Sequence, residues 1–170
     1  MPSTLIHDRS LIKTHQISEK KQAIREHFNR LASQRAYWQD KASTYYEDQA
    51  RYFQFLVPEG LRVLELGSGL GNLLAALKPT RGVGVDLSEE MVGEATRLHP
   101  SLEFHVGDAE TLELHETFDA IILADVIGDL LDVETALIGL HQVCTPETRI
   151  VVAYYNYLWG LFSGWERRSG

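Results

Sequence analysis

The stretch Val63-Leu64-Glu65-Leu66-Gly67-Ser68-Gly69-Leu70-Gly71 decides the fold. Its apolar half reads as a buried strand that runs into a glycine-rich turn and then opens a helix. Glycine lets the backbone turn tightly and lets a ligand come close to the main chain. The first N–H groups of a helix have no partner inside it and offer donors to a ligand. The spacing is Gly-x-Gly-x-Gly, and Asn72 stands where a dinucleotide fingerprint carries its third glycine. The loop therefore fits a nucleoside with a short charged tail better than a pyrophosphate. Taken alone, it also fits a plain structural turn.

The next apolar run, Gly82-Val83-Gly84-Val85-Asp86, reads as a second strand with an acid at its end. Asp86 lies about 20 residues past the loop, the separation at which a carboxylate reaches ribose hydroxyls through charge-assisted hydrogen bonds. Alone, Asp86 equally suits a solvent-facing helix cap; together with the loop it favours ligand binding.

Strands and helices alternate from Leu61 onward. Strands are expected at 62–66, 82–86, 102–106, 118–124 and 149–154, and helices at 71–77, 88–98 and 132–143. Ser88 and Asp132 are helix N-caps by type, and Glu89 and Glu90 suit the positive end of a helix dipole. The apolar run at 118–124 implies burial on both faces. The pattern predicts an α/β fold: a three-layer, Rossmann-like, mostly parallel sheet with helices on both faces. Upstream, 18–36 reads as a helix with Ala23, Ile24, Phe28, Leu31 and Ala32 near one face. A second, 38–56, is stopped by Val57-Pro58-Glu59-Gly60. Residues up to about Gln16 carry no clear period and are expected to be disordered. The chain thus divides into a helical lid or extension at 1–60 and a core at 61–170.

Four motifs in order give a resemblance to a known family. Glu65-Leu66-Gly67-Ser68-Gly69-Leu70-Gly71 resembles the first motif of class I S-adenosylmethionine (SAM) dependent methyltransferases, and Gly84-Val85-Asp86 their ribose-binding motif. Val106-Gly107-Asp108-Ala109-Glu110 resembles the third, and Phe118-Asp119-Ala120-Ile121-Ile122 the fourth strand. The resemblance implies SAM as cofactor and S-adenosylhomocysteine as product. It implies a cofactor set of Glu65, Gly67, Ser68, Gly69, Asp86, Leu87, Asp108, Ala109 and Asp125. In that set Glu65 orders the loop, Gly67 and Gly69 pass under the methionine tail, and Asp125 sits near it. Asp108 accepts from the adenine amino group, and Ala109 offers its N–H. On the residues alone, Asp108 also suits a turn and Asp125 a buried structural acid, while Asp119 starts a strand without touching ligand.

The family's full domain has seven strands, with a reversed hairpin after the fifth. No further strand pair is legible after Tyr154, so the last two strands are expected to be lacking and the chain to be incomplete at its C-terminus. The free edge of the fifth strand would then need a cover, from a homo-oligomer or a C-terminal module. A narrower resemblance rests on Ala124-Asp125-Val126-Ile127-Gly128-Asp129 and Tyr154-Tyr155-Asn156-Tyr157-Leu158-Trp159. It is to methyltransferase segments joined to a glycosyltransferase module, and it implies a glycan-type acceptor.

Composition bounds the partners. The formal net charge is −8, which disfavours nucleic acid and anionic membranes. The single cysteine, Cys144, has no internal partner, and with no apolar leader or membrane-length run the reading is cytoplasmic. No metal-ligand spacing is present. Of the candidate bases, His27 reads as a surface residue, His105 as packed within a strand, and His141 as solvated or at the edge of the core. Tyr37-Trp38, Tyr45-Tyr46 and the tyrosines at 154–157 suit cofactor or acceptor contacts, or ordinary packing. The expected function is methyl transfer from SAM to a small-molecule or glycan-type acceptor. The alternative is a SAM-binding module without chemistry of its own. Asn72 and the Asp108 motif speak against a nicotinamide oxidoreductase.

Overall fold

The computed structural model describes residues 9–41 and 43–154. Two helices lead, α1 at Arg9–Lys41 and α2 at Ser43–Leu56. α1 is longer at both ends than its apolar period suggests, and the stretch expected to be disordered is helical from Arg9. No glycine or proline interrupts the sequence between Arg9 and Lys41, so nothing local stops propagation once the helix has nucleated.

The core then alternates: β1 (Arg62–Leu66), α3 (Asn72–Ala76), β2 (Arg81–Asp86), α4 (Glu89–Leu98), β3 (Glu103–Val106), β4 (Phe118–Ala124), α5 (Val133–Gly139) and β5 (Cys144–Ala153). The strands form one parallel sheet in the order β3-β2-β1-β4-β5. The order reverses beside β1, and in open parallel sheets the crevice at such a switch point, beyond the carboxyl ends of the strands, takes the ligand.

Side chains alternate across the sheet, and both faces are buried. Leu64, Leu66, Ile121 and Leu123 pack on one face with Leu140 and Val143. Val63, Ala120 and Ile122 pack on the other with Leu74 of α3 and Phe53 of α2. A third cluster joins Ala32 of α1 to Leu70 of the glycine turn and Met91 of α4. The expected three-layer α/β architecture is the one observed.

Several boundaries differ. α5 stops at Gly139 and a 3-10 turn, Leu140–Val143, completes the crossover. β5 begins at Cys144 rather than at 149, because Thr145–Thr148 bow out of the ladder between the Phe118–Cys144 and Ala120–Arg149 pairs. The bow is closed by Thr148, whose Oγ1 accepts from Thr145 N–H at 2.7 Å and donates to Phe118 O at 2.6 Å. His105 is exposed on the edge strand β3, where its Nε2 lies 2.6 Å from Glu103 Oε1. It is not packed among strand neighbours, since β3 pairs only with β2 among the described residues. The expected lack of two last strands falls after residue 154, outside the described residues. Among those described, no helix is long and apolar enough to cross a membrane.

Candidate functional site

The glycine turn is shaped by left-handed backbone. Gly67 has φ 71° and Gly71 φ 73°. A Cβ on Gly67 would lie 2.5 Å from Val126 Cγ2, and one on Gly71 would lie 2.4 Å from Phe104 Cζ. Both positions therefore exclude a side chain on two grounds, conformation and contact. Gly67 and Ser68 donate their N–H groups to Val85 O at 2.8 and 3.1 Å, which ties the turn to β2.

Glu65 is buried at the end of β1, and its Oε2 accepts from Leu74 N–H of α3 at 3.1 Å. It thus orders the strand–turn–helix unit. Burial pushes its carboxyl group up to about 8, with the Asp86 charge adding and the Leu74 hydrogen bond opposing.

Two adjoining lobes open over this turn, each of about 100 Å³. Gly67, Gly69, Asp86, Leu87, Asp108, Ala109 and Asp125 line the first. Glu65 and Ser68 line the second, together with Gly67, Gly69 and Asp125. All nine residues expected from the sequence therefore border one cleft. Asp86 accepts from Gly69 N–H at 2.8 Å on one oxygen and from Ser88 N–H at 2.9 Å on the other. Its carboxyl group is nevertheless held above the ordinary range by burial. Asp125, just past β4, has φ 58°, an uncommon conformation for a residue with a side chain. Its Oδ2 accepts from Tyr45 Oη at 3.1 Å and Gln49 Nε2 at 2.9 Å, so α2 is fastened to the cleft.

Sequence reasoning missed α1's part in this cleft. Lys21, Ile24, Phe28 and Arg35 line the first lobe, and Arg35 the second as well. Their spacing puts them along one helix face, a signal present in the sequence but read only for its apolar members. Asp129, on the 3-10 turn Ile127–Asp129 after β4, also lines the first lobe and was not anticipated. Burial holds its carboxyl group up, while His27 and Arg35 pull it down. Of the aromatics, Tyr46 lines the second lobe, whereas Tyr37 and Trp38 are exposed and line neither. Tyr154 lies against Gly128, and the tyrosines after it fall outside the described residues. His27, His105 and His141 line neither lobe.

The donor and acceptor set suits a nucleoside carrying an amino-acid tail. Carboxylates flank the first lobe for hydroxyl and amino donors. The Ser68 hydroxyl is buried with no hydrogen-bond partner among the described residues, and Ser68 lines the second lobe with Glu65. Arg35 supplies a cation where the lobes meet. A Cβ on Gly69 would meet nothing within 4 Å, so the turn presents bare backbone at that point.

A parallel sheet with a glycine turn after β1 and acids at the end of β2 and just past β3 and β4 defines a Rossmann-like nucleoside-binding domain. The family model described as a methyltransferase domain matches residues 64–152, and the chain belongs to that family, the class I SAM-dependent methyltransferases. Over 133 residues it is 27% identical to a ubiquinone biosynthesis O-methyltransferase of Bradyrhizobium diazoefficiens, covering 75% of this chain and 52% of that protein. It is 28% identical over 89 residues to a demethylmenaquinone methyltransferase of Chlorobaculum parvum, covering 50% of this chain and 37% of that one. The chain thus spans about half the length of these relatives, or less. Among solved structures, the complex of DhpI with S-adenosylhomocysteine superposes with a TM-score of 0.66 at 21% identity, covering 78% of this chain and 68% of that one, a likeness of fold.

Proposed function

We propose that the chain carries the cofactor-binding half of an enzyme that transfers a methyl group from SAM to a small-molecule acceptor. The observation that carries this reading is the convergence of Glu65, Asp86, Asp108 and Asp125 on one cleft around the glycine turn. The names of the two relatives, a ubiquinone biosynthesis O-methyltransferase and a demethylmenaquinone methyltransferase, support a quinone-type small molecule over a glycan-type acceptor. The net charge of −8 weighs against nucleic acid, and the single cysteine suits a cytoplasmic domain.

Asp86 would take the ribose hydroxyls and Asp108 the amino edge of the base, with Ala109 and Leu87 bounding it. Glu65 and Ser68 would meet the ammonium of the tail, and Arg35 its carboxylate. SAM, when bound, supplies a methyl group already activated on a sulfonium. The protein's task is then to hold the acceptor in line, and orientation of that kind can contribute roughly 7–11 kcal/mol. A base is needed only for an acceptor protonated at working pH. Asp129 is suited to that role, because its carboxylate accepts no hydrogen bond from the described residues.

A second reading is a SAM-binding module that does no chemistry without further chain, and the partial coverage of both relatives supports it. Calorimetric titration with S-adenosylhomocysteine, beside an NADH control, tests the cofactor for both. Asp86→Ala is expected to weaken binding by about 1.5–3 kcal/mol, the range for hydrogen bonds to a charged group. Unchanged affinity in a folded variant would remove the ribose role. Methyl transfer to a catechol-type probe then separates the enzyme from the module.

A further inference from the structure

α1 contributes more than a wall. Lys21 Nζ lies 2.7 Å from Asp108 Oδ1 and 2.6 Å from Glu110 Oε1. The three side chains are largely withdrawn from water, with exposures of 15% for Lys21, 22% for Asp108 and 9% for Glu110. Glu110 Oε1 also accepts from Leu131 N–H at 2.7 Å, and Asp108 Oδ1 from Glu110 N–H at 3.0 Å. The Lys21 ammonium therefore joins α1 to the turn after β3, and Glu110 carries the link on to the loop after β4.

Two carboxylates sharing one ammonium repel one another, and without that cation the Asp108 side chain loses a contact that holds it in place. A carboxylate offers only acceptor oxygens, so the orientation in which it is held decides which edge of a base it can meet. The bonds from Lys21 and from the Glu110 amide both fall on Oδ1 of Asp108, so Oδ2 carries neither.

We propose that Lys21 is a positioning residue that fixes Asp108 as an oriented carboxylate and thereby makes the site select an adenine over a hypoxanthine. An adenine offers an amino donor at the edge where a hypoxanthine offers a carbonyl acceptor, which a carboxylate repels. The inference rests on the proposed reading of Asp108 as the group that meets the base.

The test compares S-adenosylhomocysteine with S-inosylhomocysteine, titrated into the chain and its variants. The shared tail cancels in the ratio of the two affinities. The wild-type chain is expected to prefer the adenine ligand, and Lys21→Met to narrow that preference by about tenfold or more. Lys21→Arg should keep it, because a guanidinium can bridge the same two carboxylates. An unmoved ratio in Lys21→Met overturns the proposal, and so does an equal loss for both ligands, which would mean that Lys21 only packs α1. Circular dichroism checks the fold. Should Lys21→Met not fold, Lys21→Gln serves instead, with a smaller narrowing expected and an unmoved ratio again fatal. A wild-type chain that binds neither ligand defeats the cofactor reading itself. One that binds the adenine ligand but is indifferent to Lys21→Met defeats only the role given to Lys21.

Discussion

Glu65 brings a carboxyl group into the interior between β1 and α3, and its proton is linked to folding. The group titrates near 4.5 when solvated and is pushed up to about 8 in the fold. Between those values the unfolded chain has released the proton and the folded chain still holds it. Stability contributed by this group is therefore present below about 4.5, falls as pH rises through the window, and is gone above about 8. Glu65→Gln removes the dependence while leaving an oxygen to accept from Leu74. Above pH 8 the variant should be more stable than the wild type by on the order of a few kcal/mol, seen as a higher melting temperature, and the two should converge toward pH 5. Melting curves collected across that range check it, and a difference that does not vary with pH would show that Glu65 is ionised throughout. At this scale the site was legible where a motif carried it: Glu65, Asp86 and Asp108 stand at the ends of strands or in the turns that follow. Lys21 was not, because its partners lie 87 and 89 positions away and only the fold brings them together.

Ser88 shows how one element is set by one side chain. It is fully buried, its Oγ accepts from Met91 N–H at 3.2 Å to cap α4, and it donates to Asn29 Oδ1 of α1 at 2.6 Å. Ser88→Ala should cost about 1–2 kcal/mol, the upper range for a lost cap, since Asn29 loses a partner as well. Urea unfolding should show a lower midpoint with the slope unchanged. A loss below about 0.5 kcal/mol would mean that the cap is dispensable. The cap was readable in the sequence because serine followed by two glutamates is a local signal. β1, β2 and β4 were readable for a related reason: strands buried on both faces are continuous apolar runs. The start of β5 was not, because the Thr145–Thr148 bow is polar and reads as a loop even though pairing resumes on each side of it. The full length of α1 was hidden as well, since half of it lacks the apolar period that marks a packed helix.

The electrostatics of the whole molecule bear on which form of the cofactor the cleft prefers. Four carboxylates, Asp86, Asp108, Asp125 and Asp129, line the first lobe against two cations, Lys21 and Arg35. The chain around them is itself at −8, so the local excess of negative charge is not cancelled from outside. Burial already holds Asp86 and Asp129 above the ordinary carboxylate range, which means that their charges lack full compensation. SAM bears one positive charge more than S-adenosylhomocysteine, on sulfur. A cleft of this sign should bind the sulfonium form more tightly than the thioether, an asymmetry that favours exchange of product for fresh donor. The difference should shrink between about 0.1 and 1 M salt, as the Debye length falls from roughly 10 to 3 Å, although the buried part of it will persist. Neutral contacts, shared by the two ligands, should respond to salt alike and cancel in the ratio. Titrating both ligands over that range decides the matter. Equal affinities at low salt would mean that Lys21 and Arg35, with the protons held by the buried acids, already balance the cleft.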